Sequence, residues 1–116
     1  MRLRQRQPRQ HDDKHRKFIA WLPCLVCLRD DSDTMRDAAH IRRSNPQYAK
    51  PMIGISEKAD DCWIIPLCRM CHTEQHNMGE EDFWFALPIV PEAVALALYR
   101  VSGDHAAGEE IIRAHH

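Results

Sequence analysis

Four cysteines fall in two pairs, Cys24/Cys27 and Cys68/Cys71, with two residues inside each pair and forty between the pairs. Thiolate sulfur is a good zinc ligand, and four sulfurs at tetrahedral geometry make a closed structural site. A C-x2-C turn presents both sulfurs to one ion, so two such turns from distant segments would staple the chain. Structural zinc on these four residues is the expected chemistry. A thioredoxin-like redox role needs a βαβ context that the sequence lacks. Cys62 makes the count odd, is not spaced as a ligand, and is read as a core residue.

His72 and His76 follow the second pair directly. On a helix they stand at i and i+4 and face the same way. Two imidazoles so placed can share a metal ion. The alternative is that one of them replaces a cysteine, giving a single mixed site. His40 lies in Asp37-Ala38-Ala39-His40-Ile41-Arg42 and precedes a long basic loop. Imidazole titrates near neutral pH, so proton transfer is open to it.

Several elements must position these groups. Phe18, Ile19, Trp21 and Leu22 suit a short helix ending at Pro23, which cannot continue it. Cys24–Cys27 is read as a tight turn, 28–37 as polar turns, and 38–41 as a short strand. Residues 42–60 hold Pro46, Pro51 and Gly54 and read as a long loop. Trp63, Ile64 and Ile65 have strand character, with Pro66 as the expected stop. A helix is expected from Arg69 to about Met78, ending near Gly79. Glu80 to Leu87, with Phe83, Trp84 and Phe85, reads as a short helix packed on the core. Pro91 opens a stronger helix, EAVALALYRV, with Gly103 past its end. A last helix is expected within 104–116.

The chain has 116 residues and a formal net charge of −1, so one domain is expected and net charge alone implies no polyanion partner. The distribution says more: residues 1–17 carry seven of the sixteen Lys and Arg. Arg42, Arg43 and Lys50 form a second basic group. Such patches fit phosphate contact, or in the first case a solvated tail. Residues 1–13 are read as a basic flexible arm and 14–116 as one domain, with C-terminal helices over about 80–116. No stretch reaches the ~18–20 apolar residues needed to span a bilayer. The basic N-terminus lacks the apolar core of a signal peptide, so a cytoplasmic, reducing location without membrane contact is expected.

The order CxxC, "AAHIR", "DDCWIIPLCRMCHTEQH" and "GEEDFW" resembles the HNH endonuclease superfamily. It is most similar to a phage and prophage branch of small nucleases that includes the Ref-like enzymes. The similarity runs from about His15 to Phe85, and "PLCRMCHTEQH" is its most specific part. The resemblance implies an α+β fold: a ββα-metal, treble-clef-like core with structural zinc and flanking helices. By that resemblance His40 matches the general base on the first strand. His72 and His76 match the ligands of a catalytic divalent ion (Mg2+, Mn2+, Ni2+ or Zn2+). Cys24, Cys27, Cys68 and Cys71 match the zinc ligands. Two positions depart from the pattern. Ala39 stands where a metal-binding Asp or His is common, and Trp63 where an Asn often precedes "PLC". Asp37, Asp60 or Asp61 would then supply the missing carboxylate or the loop-ordering hydrogen bonds.

The implied activity is metal-dependent hydrolysis of phosphodiester bonds in DNA. Arg42, Arg43 and Lys50 would contact flanking phosphates, and the basic arm would add affinity. Phosphate contacts position DNA without reading sequence, so low sequence specificity is expected. A non-catalytic zinc module that binds nucleic acid is the second reading. A structural or assembly factor using the "AVALALY" helix as a protein contact is the third, with core packing the preferred role for that helix.

Overall fold

A computed structural model describes residues 12–43, residue 47 and residues 61–116. The basic arm up to residue 11 and most of the 42–60 loop, including Lys50 and Asp60, lie outside the described residues. The fold is α+β. Helix α1 (Asp13–Ala20) leads to strand β1 (Asp37–His40), and a 3-10 turn (Asp61–Trp63) leads into strand β2 (Ile64–Leu67). Helices α2 (Arg69–Met78), α3 (Glu80–Phe85), α4 (Pro91–Arg100) and α5 (His105–His115) follow.

Helix α1 begins earlier than its apolar residues suggest. The Asp12 side chain accepts the His15 N–H at 3.0 Å, satisfying one orphan donor of the first turn. Its buried face is His15, Phe18 and Ile19, the i, i+3, i+4 spacing of one helix side. Strands β1 and β2 pair antiparallel, with Asp37 opposite Leu67 and His40 opposite Ile64. Helix α2 starts two residues after β2 ends and lies against both strands.

Pro66 does not stop β2, contrary to expectation; the strand runs through it to Leu67. Proline cannot donate to a ladder but its carbonyl still accepts. The Pro66 oxygen takes the Leu25 N–H at 2.9 Å, which pins the first cysteine turn to β2. That turn is closed by Leu28 N–H to the Cys24 oxygen (2.8 Å), with Leu28 at φ 63°. The polar 28–36 segment is organised by Arg36, which is almost fully buried. Its guanidinium donates to the carbonyls of Leu22, Asp31 and Thr34 at 2.8–2.9 Å.

The core gathers Ile19, Leu22, Leu25, Ile41, Ile64, Ile65, Leu67, Trp84, Val94, Leu98 and Ile112 around the sheet. Helix α4 gives Val94, Ala95 and Leu98 to it, so "AVALALY" is core packing. Helix α5 crosses α1 closely at Gly108, where a Cβ would lie 2.8 Å from Phe18 Cζ and 2.9 Å from Leu22 Cδ2. Three expectations need correction. Phe85 is 92 % exposed, because α3 buries only Phe83 and Trp84. Trp63 belongs to the 3-10 turn rather than to β2. Cys62 is half-buried rather than a core residue.

Glu92 is fully buried on α4 and is held by Arg43 through two bonds, Nε–Oε2 at 2.8 Å and Nη2–Oε1 at 2.9 Å. Removing one partner of such a pair strands the other charge in the core. Arg43→Ala is therefore expected to cost about 3 kcal/mol, the low end for buried pairs, because Arg43 keeps some solvent contact. Urea unfolding of the variant measures this, and an unchanged midpoint would refute it.

Candidate metal centre and adjoining cleft

The four cysteines converge. The Sγ atoms of Cys24, Cys27, Cys68 and Cys71 all lie within 4.8 Å of one another, and Cys27 and Cys68 are 3.6 Å apart. A tetrahedral ion with bonds of about 2.3 Å needs sulfurs roughly 3.8 Å apart. The cluster thus fits a structural metal ion such as zinc. Neither His72 nor His76 joins it, so the mixed-site alternative does not hold. The sequence arranges this locally. Cys68 is the N-cap of α2 and its sulfur accepts the Cys71 N–H at 3.5 Å. Burial pushes the Cys27 and Cys71 thiols up. At Cys68 burial has the same tendency, but hydrogen bonds from the Cys71 backbone and the neighbouring thiols outweigh it and bring the thiol down.

The histidines form a separate group on the other side of α2's first turn. The His72 and His76 Nε2 atoms stand 3.2 Å apart. Asp37 on β1 accepts from His72 Nδ1 at 2.9 Å and is itself clasped by Arg69 at 2.9 and 3.2 Å. Burial tends to raise the Asp37 carboxyl, but the bonds from Arg69 and His72 prevail and hold it below the usual range. A carboxylate only accepts, so Nδ1 of His72 carries the ring proton and Nε2 offers a lone pair toward His76. A carboxylate behind a histidine in this way fixes its tautomer and raises its basicity as a ligand.

His40 and Asp61 form a second carboxylate–imidazole pair. His40 Nε2 donates to Asp61 Oδ1 at 3.0 Å, and Asp61 Oδ2 accepts the Asp12 N–H at 2.8 Å. Asp61 is buried. Burial alone would raise its carboxyl, but the Asp12 N–H and His40 hold it low. Nε2 therefore keeps the proton and Nδ1 keeps the lone pair. Burial lowers the His40 pKa, Asp61 acts to raise it, and Arg42 and Arg16 lower it further; the net direction is down. At neutral pH the ring is set up to receive a proton.

These groups share one cleft of about 360 Å³, lined by His40, His72, His76, Arg42 and Glu80 around Ala38. Asp37, Asp60 or Asp61 is expected to supply either a metal-binding carboxylate or loop-ordering hydrogen bonds. The structure puts Asp37 behind His72 and Asp61 behind His40. Among the described residues the cysteine quartet is the one group of three or more such side chains clustered tightly enough for an ion. Ala39 is buried in the core and offers no donor. Arg42 is exposed at the cleft, its backbone N–H held by the Glu80 carboxylate at 2.9 and 3.1 Å. The Arg43 guanidinium, expected among the phosphate contacts, is engaged by the Glu92 carboxylate at 2.8 and 2.9 Å. Lys50 lies outside the described residues. Sequence reasoning missed Glu80 as a cleft residue. No spacing signal announces it, since it arrives only because Gly79 (φ 92°) breaks α2 and turns the chain back.

No helix among the described residues is long and apolar enough to cross a membrane. A scan against protein-family models, a search of curated proteins and a search of solved structures each found no match.

Proposed function

We propose that this protein is an HNH-type endonuclease of the phage and prophage branch, hydrolysing phosphodiester bonds in DNA with a divalent ion and with low sequence specificity. In this reading β1, β2 and α2 are the ββα-metal core, and the cysteine quartet is a treble-clef-like zinc staple beside it. The supporting observation is the pair of carboxylate-backed imidazole sets, Asp61–His40 and Asp37–His72 with His76, whose imidazoles line one cleft.

His72 and His76 would hold the divalent ion through their Nε2 atoms. The two imidazoles form an incomplete coordination shell that leaves positions for water and substrate. When bound, that ion supplies neutralisation of charge developing on the phosphate and leaving oxygens. His40 Nδ1 takes a proton from a water molecule, whose oxygen forms the new bond to phosphorus. The bridging P–O bond breaks in line with that attack, and the leaving oxygen collects a proton from solvent. Asp61 keeps the imidazole in the Nδ1-basic tautomer and stabilises the imidazolium that forms, as a buried carboxylate does in a hydrolytic triad. Arg42 neutralises a flanking phosphate.

Asp61→Asn tests the dyad. The amide oxygen can still accept from Nε2, but the negative charge is gone. The contribution that raises the His40 pKa is lost, so the imidazole stays neutral to lower pH. The acid limb of the pH–rate profile, which reports protonation of the base, is expected to move to lower pH. The plateau is expected to fall about 10- to 100-fold, because a weaker base with an unpaired imidazolium is left. Arg42, Arg16, Glu80, His72 and His76 stand near the same ring and are unchanged in the variant. An unshifted acid limb would remove Asp61 from the mechanism.

The second reading, a non-catalytic zinc module that binds nucleic acid, is favoured by one observation: Ala39 provides no ligand, and among the described residues no group of three metal-binding side chains forms at the histidine pair. Plasmid nicking with magnesium, manganese, nickel or zinc decides between the two. No nicking with any of them, alongside retained DNA binding, selects the second.

A further inference from the structure

Helix α1 carries two cations that the mechanism above does not use. Arg16 and Lys17 are exposed, and among the described residues neither takes part in an ion pair. They line a groove of about 420 Å³ between α1 and β1, with Ala20, Met35 and Ala38. Ala38 also lines the His40 cleft, so groove and cleft meet over a single methyl group on β1. Arg16 lies close enough to act electrostatically on both His40 and Asp61.

Two of the other charged residues at the groove, Asp37 and Arg36, are already engaged. Asp37 is held by Arg69 and His72. Asp13 sits in the first turn of α1, where the helix dipole favours an anion. Arg36 is buried and turned onto backbone carbonyls. Asp13 is exposed and offsets part of the Arg16 and Lys17 charge, so the exposed charge in the groove remains positive but smaller, and Ala38 lies between the groove and the cleft. A regularly charged polyanion strand has this complementarity along its length. A strand with one phosphate at His40 would place its next phosphates along the groove on one side and toward Arg42 on the other.

We propose that the α1–β1 groove is a phosphate track, in which Arg16 and Lys17 hold the nucleic-acid backbone on one flank of the His40 cleft. This rests on the nuclease reading for the identity of the strand.

The test is fluorescence anisotropy of a labelled duplex oligonucleotide against the full chain, over a salt titration without added divalent ion. Zinc content is measured for each variant. Arg16→Gln/Lys17→Gln is expected to weaken binding about ten-fold and to reduce the log–log salt slope by about 1.8, two contacts at roughly 0.9 each. Lys14→Gln removes a like charge from the same helix away from the groove and is expected to leave the slope unchanged. An unaltered slope in the double variant, an equal loss in Lys14→Gln, or no binding by the wild type would overturn the track. So would competition by an acidic peptide as strong as that by unlabelled oligonucleotide. Nicking assays separate the two ideas. Nicking with an unchanged slope overturns the track alone; a slope change without nicking under any divalent ion overturns the nuclease reading and upholds the track.

Discussion

Replacing His40 by alanine is expected to reduce plasmid nicking by about 100- to 10,000-fold, the range over which a positioned general base contributes. The expectation follows from its surroundings. Asp61 holds Nε2 at 3.0 Å and is itself anchored by the Asp12 backbone, so the ring has a fixed tautomer. His40 is half-buried at the end of β1 and outside the hydrophobic cluster, so its loss leaves no large cavity. Zinc content is expected to match the wild type, and the variant is expected to stay folded with a lower thermal unfolding midpoint. The Asp61 carboxylate is left behind without its imidazole, which is the one structural cost, and Arg16 remains near it. Equal nicking by wild type and His40→Ala would remove His40 from catalysis. A loss of nicking that tracks a loss of folding would make its role structural instead.

Stripping the structural metal, or replacing Cys68 by alanine, is expected to abolish the fold and with it all nicking. Binding of zinc by a four-thiolate site is worth roughly 10–16 kcal/mol at neutral pH. The whole stability of a domain of this size is about 5–15 kcal/mol. Cys68 has two roles at once, since it supplies a sulfur to the cluster and caps the first turn of α2. The first cysteine turn is held to β2 by the Leu25–Pro66 bond, so loss of the cluster releases α2 and that turn together. Circular dichroism with a strong chelator, and metal analysis showing one zinc per chain before treatment, check this. A Cys68→Ala variant that unfolds cooperatively at the wild-type temperature and still nicks would contradict it. The contrast between the two substitutions matters more than either alone: His40→Ala is expected to silence a folded protein, whereas Cys68→Ala is expected to lose the fold.

The reading from residue types was strongest where chemistry depends on short spacing. A C-x2-C pair and an H-x3-H pair are local patterns, and a helix after the second pair is dictated by "RMCHTEQHNM" with Gly79 behind it. The helix from Pro91 was legible for the same reason, through its N1 proline and Gly103 past its end. The β strands were less so. Four-residue strands carry too few positions for a period to declare itself, and Pro66 argued for an end that the bond from Leu25 to its carbonyl overrides.

What the sequence by itself determined is the inventory and its local pairing: four sulfurs in two turns, two imidazoles on one helix face, a third imidazole on a strand. Only the tertiary structure decided which carboxylate stands behind which imidazole. Asp37 is 35 residues from His72 and Asp61 is 21 from His40, and neither separation has a periodic signature. The same holds for Arg43, whose neighbours in sequence suggest a basic surface but whose partner, Glu92, lies 49 residues away in the core. Charge type is written locally, but whether a charge is free to meet a ligand depends on long-range packing. That packing ties Arg43 to Glu92 and leaves Arg16 and Lys17 in a groove that shares Ala38 with the cleft.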